Sequence, residues 1–317
     1  MATADTTPLP GFSYYHPRPG TTVTAKDGFV TIPIDLPIPL LDEDFASLLD
    51  AALPDYDMVG RGIYGALRKN PDILHASRYA AILRDGYSHY LAELGSLIIM
   101  LDRKDVDPLY LDRKITYLKI FRLLEPDNHR LPFEIGSTYH RKGRSLDACR
   151  QISYNFFMAE KFLLESWEIS PGDREVAALL AEVSYILGRY GRAAELWGGI
   201  GQFLEGEESQ KVMERVERIE RGDLPFVPVV DYLEATAVAF GLAERKEYEE
   251  AAAILSDIME DTGFREGYPF PEIWYLLGSC HEALSSPEMA ISCYREAVAI
   301  RPDYDEAAKG LQRLGRG

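Results

Sequence analysis

The sequence predicts an all-α chain, built as a solenoid of antiparallel helix pairs behind a short extended arm with a hairpin. Three observations predict it. From about Leu41 onward, apolar residues recur at helical spacing and are interrupted at intervals by Pro, Gly, Asp and Asn. The interruptions resemble one another: Leu124-Glu125-Pro126-Asp127, Ile169-Ser170-Pro171-Gly172-Asp173 and Ile300-Arg301-Pro302-Asp303 each end a helical stretch with a proline that cannot continue it. A short turn ahead of a small residue also repeats, before Ala193, Ala251 and Ala290.

Residues 1–40 read as the arm. Thr22 to Ile32 places β-formers on both sides of Asp27-Gly28, which is a hairpin signal. Pro33, Pro37 and Pro39 then alternate with Ile34, Leu36, Ile38 and Leu40, a pattern that neither a helix nor a central strand accepts. Phe29, Ile32, Ile34, Leu36, Ile38 and Leu40 are expected to pack on helices. Docking on the same chain caps an exposed apolar end, and docking on a neighbour makes a swapped homodimer.

Residues 41–128 read as degenerate helical pairs. Asn70-Pro71-Asp72 and Asp107-Pro108 look like helix starts, as does Ser286-Pro287-Glu288 further on. Arg78 to Leu101 and Leu109 to Leu124 form one expected pair. Residues 129–317 read as repeats. Ile135-Gly136-x2-Tyr139 followed by Ala148 suggests a first helix and turn, with a second helix from Leu146 to Trp167. Ala177-x2-Leu180-Ala181-x2-Ser184 leads through Gly188 to Ala193 and Trp197. Val238-Ala239 and Leu242 lead through Tyr248 to Ala251 and Leu255.

The last third carries the fullest pattern. Trp274-x2-Leu277-Gly278-x2-His281, then Ala290-x3-Tyr294, Ala297 and Pro302, resembles the tetratricopeptide repeat. Gly278 and Ala290 let two helices approach closely while Trp274, Leu277 and Tyr294 fill the space around them. Ala193 to Ala251 exceeds the ~34-residue repeat by roughly two dozen residues, a surplus assigned to a charged helix near 207–221 with Val212, Val216 and Ile219 at helical spacing. Ala251 to Ala290 exceeds it by about five, assigned to a loop from Thr262 to Pro271. The resemblance covers roughly residues 75–314 and implies a right-handed solenoid.

Composition narrows the partner. The chain has 317 residues, 46% hydrophobic, and a formal charge of −17 from 51 acidic and 34 basic side chains. That balance repels phosphate backbones, so nucleic acid is not expected, and a basic or apolar protein or peptide is. Met1 to Pro10 lacks the layout of a secretory signal, and the longest apolar run, Leu94 to Leu101, is far below the ~20 residues of a spanning helix. The sparse cysteines, Cys149, Cys280 and Cys293, suit a reducing cytoplasm.

Candidate chemistry is thin. Gly60-Arg61-Gly62-Ile63-Tyr64-Gly65 fits G-x-G-x-x-G, but no convincing strand precedes it, so it reads as a glycine-rich turn before a helix and no cofactor is expected. His16, His75, His89, His129, His140 and His281 are scattered. His75 and His89, on one helix face, would be ~20 Å apart, so no metal is expected. His281 stands where an aromatic is usual and reads as a packed histidine. Cys280 and Cys293 read as buried thiols on facing helices, with a redox pair as the alternative. No nucleophile–base arrangement emerges, and the chain is not expected to be an enzyme.

The resemblance implies a binding groove lined by the first helices of successive pairs. It places Glu175, Ala178, Glu182 and Tyr185 there, then Thr236, Phe240 and Glu244, then Glu272, Tyr275, Ser279 and Glu282. The segment around Ile135 adds Arg130, Phe133, His140 and Arg141. The eleven residues from the last three pairs contain no Lys, Asn or Arg, unlike the repeats that clamp a chaperone's C-terminal carboxylate, so that reading is rejected. An interaction scaffold or adaptor in a bacterial-type cytoplasm is the leading expectation. A dedicated chaperone for a secreted or assembling subunit is the second, and a ligand sensor or enzyme built on residues 1–74 the third.

Overall fold

The computed structural model describes residues 9–26, 28–48, 53–102, 108–144, 151–201, 203 and 205–315. Cys149, Ala148, Leu146, Asp107 and Asp27 lie outside the described residues. The contact pattern divides the chain into two units, 1–138 and 139–317.

In the first unit the arm forms two antiparallel ribbons. β1 (Phe12–Tyr15) pairs with β4 (Ile38–Leu41), Tyr14 opposite Pro39; β2 (Thr22–Thr24) pairs with β3 (Thr31–Pro33), Val23 opposite Ile32. The helices follow: α1 (Asp42–Ser47), α2 (Tyr56–Lys69), α3 (Ala76–Gly86), α4 (Ser88–Asp102), α5 (Pro108–Leu124) and α6 (Arg130–Arg144), which runs across the division. Alternation decides the arm's burial. Ile32, Ile34, Leu36, Ile38 and Leu40 are buried in one core with Val59, Ile63 and Leu67 of α2 and Tyr79 and Leu83 of α3. The arm thus packs on helices of its own chain. Phe29 departs from the expectation, being 89% exposed at the hairpin end.

The glycine string belongs to this docking. Gly60, Gly62 and Gly65 lie inside α2, not in a turn before it. A Cβ on Gly62 would strike the Pro39 carbonyl, one on Gly60 would strike the Tyr87 ring, and one on Gly65 would come within 3.1 Å of Phe12. The glycines lie in the middle of a helix and face three different neighbours, which rules out the phosphate-cradling turn that the dinucleotide fingerprint needs. They cost helix propensity, ~1 kcal/mol per glycine against alanine, and Gly62 gives β4 backbone-to-backbone access.

Local readings were overturned where tertiary contacts intervene. The expected helix from Arg78 to Leu101 is broken at Tyr87, where the Tyr56 hydroxyl donates to the Gly86 carbonyl and the Tyr87 hydroxyl donates to the Tyr56 carbonyl at 2.7 Å. His75 and His89 therefore fall on different elements, His75 capping α3 in a left-handed conformation and His89 on α4. Asn70-Pro71-Asp72 is a turn: Asn70 closes α2 and its side-chain oxygen accepts from the Asp72 N–H at 2.9 Å.

The second unit continues with α7 (Ile152–Ile169), α8 (Arg174–Ile186), α9 (Tyr190–Gly201), α10 (Gly206–Arg221), α11 (Val229–Glu244), α12 (Tyr248–Glu260), α13 (Thr262–Gly267), α14 (Pro271–Ala283), α15 (Pro287–Ile300) and α16 (Asp305–Leu314). The proline stops after Leu124, Ile169 and Ile300 coincide with the ends of α5, α7 and α15. The charged insertion is α10. The expected loop from Thr262 contains the short helix α13, because Asp261 caps it, accepting from the Phe264 N–H at 3.2 Å. Ser286 precedes α15 without making a side-chain cap, and Pro287 occupies the first helical position instead. No strand follows Leu41 among the described residues.

Candidate functional site

Three helix pairs of the second unit share one turn. Gly188, Lys246 and Ser285 each take a left-handed conformation, with φ of 73°, 65° and 57°. The next residue's N–H then bonds back across the helix end: Arg189 to the Ser184 carbonyl, Glu247 to Leu242 and Ser286 to His281, at 2.8, 3.0 and 2.9 Å. This six-to-one closure ends the first helix and redirects the chain. It puts Ser184, Leu242 and His281 in equivalent places, so α8/α9, α11/α12 and α14/α15 are three copies of one unit. α11 touches both α8 and α14, so the first helices of the copies adjoin.

The candidate residues on those helices divide by surroundings. Glu175, Ala178 and Glu244 are exposed, and Phe240 is half-buried. Tyr185 and Thr236 are buried, and the Thr236 hydroxyl donates to the Tyr232 carbonyl at 2.8 Å. They act as core beneath the surface and present no side chain to it. In the last copy the acidic positions meet arginines of the same chain. Glu272 pairs with Arg301, and Glu282 takes a two-pronged bridge from Arg313 of α16, both bonds 2.6 Å. The Tyr294 hydroxyl also donates to Glu282 at 2.7 Å. The Ser279 hydroxyl donates to the Tyr275 carbonyl at 3.0 Å, and the Tyr275 ring lies against those of Tyr294 and Tyr304. Arg130 lies 4.5 Å over the Phe133 ring in the first unit, and Arg141 is exposed near the end of α6.

Glu182 is the centre of a denser network. One of its carboxylate oxygens lies 3.1 Å from Arg144 Nη1 and 3.3 Å from His140 Nε2, and accepts from the Tyr268 hydroxyl at 2.8 Å. Burial works to raise its pKa, but His140, Arg144 and Tyr268 outweigh it and the carboxyl is held at about 2. Tyr268 stacks on Tyr185, and burial pushes its phenol far up. Arg215 of α10 lies over Trp197 and Tyr268, at 5.3 and 5.9 Å from the ring centroids, and Arg144 lies 5.3 Å over Phe270. Arg144, Arg215, Tyr268 and Phe270 were not among the sequence-derived candidates. The Tyr268-x-Phe270 pair was the one signal the sequence offered for them. The result is a fixed carboxylate framed by arginines lying on aromatic rings.

Among the described residues of this network no hydrogen bond joins a hydroxyl or thiol to a histidine. Cys280 and Cys293 are buried free thiols, pushed up by burial. His281 is half-buried, and burial lowers its pKa. Among the described residues no three His, Cys, Asp or Glu side chains are grouped to hold a metal, and no helix is long and apolar enough to cross a membrane.

These features define a helical-repeat protein. Residues 271–304 match the tetratricopeptide repeat family model, and that segment is α14/α15 with its closing turn. No curated protein matches the chain. Solved structures that resemble it include the TPR domain of P58(IPK), with 11% identity over 82% of this chain and 74% of that one, TM-score 0.34. YrrB, a TPR protein described as having an unusual peptide-binding site, is 12% identical over 80% and 99%, TM-score 0.24. A tetratricopeptide repeat protein from Parabacteroides merdae ATCC 43184 is 14% identical over 82% and 92%, TM-score 0.26.

Proposed function

We propose that this chain is a protein-binding scaffold, and that its second unit holds a segment of a partner along the first helices α8 and α11. The observation that carries the reading is the repeated closing turn at Gly188, Lys246 and Ser285, which extends the family match in 271–304 to three adjoining copies. Such arrays bind through the surface formed by their first helices. On that surface Glu175, Ala178, Glu244 and Val238 are exposed and Phe240 is half-buried, which fits a partner segment bearing basic and apolar side chains. Glu182, already held by Arg144, His140 and Tyr268, braces the helices beneath that surface. Catalysis has no part in this reading.

The test is affinity capture from native lysate with mass spectrometry, comparing the natural chain with a Phe240→Ala, Glu244→Lys double variant. The proposal expects the same proteins to be captured by the first and lost from the second while both melt alike. Several co-purifying components mark a scaffold, and one stoichiometric partner marks a dedicated chaperone. Equal capture by both chains would sink the assignment of this surface.

A further inference from the structure

The first unit contains a basic cavity that the scaffold reading does not use. It has a volume of about 540 Å³ and lies between α2 and α5, lined by Arg68, Lys69, Asp112, Arg113, Thr116 and Tyr117. It is an open hollow, so a ligand held there would keep one side in water. Its lining brings three cations against the single carboxylate of Asp112, in a chain whose overall charge is −17.

Elsewhere in this unit cations sit against carboxylates: Lys26 on Asp57, Arg61 on Asp44, Arg78 on Asp35, Lys119 on Asp72 and Lys114 on Glu134. The cavity differs. Arg113 makes no ion pair among the described residues, and its guanidinium rests 5.7 Å from the Tyr110 ring centroid. Lys69 donates to the Pro10 carbonyl, a neutral partner. Arg68 makes one long ion pair, 3.8 Å to the half-exposed Glu93. It also lies against two rings, 5.1 Å from Tyr64 and 5.5 Å from Tyr117, and donates to the Tyr117 hydroxyl at 3.2 Å. A guanidinium clamped between aromatic rings keeps its plane and presents its remaining N–H groups in a fixed fork. The Thr116 hydroxyl spends its hydrogen on the Asp112 carbonyl, so the donors available to a ligand are the cations and the Tyr117 hydroxyl, which accepts from Arg68 and keeps its own hydrogen.

We infer that this cavity is a binding site for a phosphate monoester, gripped by Arg68, Lys69 and Arg113. A monoanion would neutralise one of the three cations. A dianion with three terminal oxygens can meet an arginine fork and two further cations from different sides. The long-range field of an acidic chain opposes any anion, so affinity depends on these short contacts. The phosphate can be carried by a small metabolite or by a phosphorylated side chain, and the chemistry of the grip is the same for both.

The test is calorimetric titration of the full-length chain with inorganic phosphate, phenyl phosphate and a phosphoserine peptide, with acetate at matched ionic strength as control. The expected result is saturable one-to-one binding of the phosphates and none of acetate. Arg113→Glu should weaken it by at least about tenfold through charge reversal. Arg68→Lys, which keeps charge and loses the fork, should also weaken it, with melting temperature unchanged in both. Tighter binding of the peptide than of phenyl phosphate assigns the phosphate to a protein, and the reverse order to a metabolite. Equal heats from acetate, no saturable phosphate binding, or an Arg113→Glu chain that binds as before would each overturn the inference. Capture of a partner by the second unit would be unaffected by any of these results.

Discussion

Gly278→Ala tests the repeat register directly. Gly278 lies on α14, and a Cβ there would sit 2.7 Å from two carbons of the Tyr294 ring and 3.3 Å from the Ala290 carbonyl oxygen. The ring cannot swing aside: on its other edge a Cβ at Gly310 of α16 would stand 2.6 Å away, and the hydroxyl is held by Glu282. Tyr294 is thus wedged between two glycines. Alanine gains ~1 kcal/mol in helix propensity. Against this stand an overpacking cost of ~1–3 kcal/mol and, if the ring is displaced, loss of a hydrogen bond to a carboxylate, ~1.5–3 kcal/mol. The expected net is a loss of about 2–3 kcal/mol, which for a unit of this size lowers the melting temperature by roughly 5–10 °C. Thermal unfolding followed by circular dichroism measures it. Gly198→Ala is the control: it lies in the last turn of α9 with nothing within 4 Å of the added carbon, so propensity alone should leave the melting temperature unchanged or raise it. If Gly278→Ala melts at or above the natural chain, the close approach is wrong and so is the register built on it.

Four further outcomes follow from the geometry. Glu182 has a folded pKa of about 2 against an ordinary 4.5, so its stabilisation, at most about 3 kcal/mol, is present above pH 4.5 and is lost as pH falls toward 2. Glu182→Gln should therefore melt below the natural chain at neutral pH, the gap closing between pH 4.5 and 2, and a pH-independent gap would refute the ion-pair account. Ser285→Gly should stabilise by ~0.5–1 kcal/mol in urea unfolding, because removing a left-handed penalty of ~1–2 kcal/mol outweighs the entropy of glycine; destabilisation would count against the shared turn. Asp261 is buried and accepts from the Phe226 N–H, the Tyr232 hydroxyl and the Phe264 N–H, so Asp261→Asn turns one oxygen into a donor facing donors and should cost ~1–3 kcal/mol by the same assay. Gly62→Ala puts a methyl group into the Pro39 carbonyl; loss of more than about 3 kcal/mol or aggregation by light scattering is expected, and an unchanged melt would mean that β4 does not rest on α2.

What could be read from the sequence was what is decided locally. A proline after Leu124, Ile169 or Ile300 ends a helix by removing an N–H and fixing φ, whatever lies nearby. The alternation from Ile32 to Leu40 sorts one face from the other because side chains in an extended chain point alternately. The break at Tyr87 obeys no local rule, since it depends on Tyr56 reaching the Gly86 carbonyl from another helix. β1 escaped notice for the same reason: Phe12-Ser13-Tyr14-Tyr15 becomes a strand by pairing with residues 38–41. The shared turn was half-hidden, because only Gly188 of its three left-handed positions is a glycine, while Lys246 and Ser285 look like ordinary helix-end residues.

The candidate groove shows the limit of mapping a repeat pattern onto one sequence. The resemblance to the repeat, laid along α8, α11 and α14, says which positions share a face, and it led to Glu182, Glu272 and Glu282. It says nothing of what arrives opposite them. Arg144, Arg301 and Arg313 each come from another helix or a helix end and close on those carboxylates. An acidic stripe in sequence is in space a set of bridges tying successive elements together, and the surface left for a partner moves toward Phe240, Val238 and Glu244. Arg215 was hidden for the converse reason. On the charged helix α10 it looks like one more solvated cation, and only the fold lays it across Trp197 and Tyr268. A charge on an exposed helix is therefore weak information about function until its neighbours are known, whereas a buried glycine such as Gly278 already constrains its neighbours, since it marks where something else must come close.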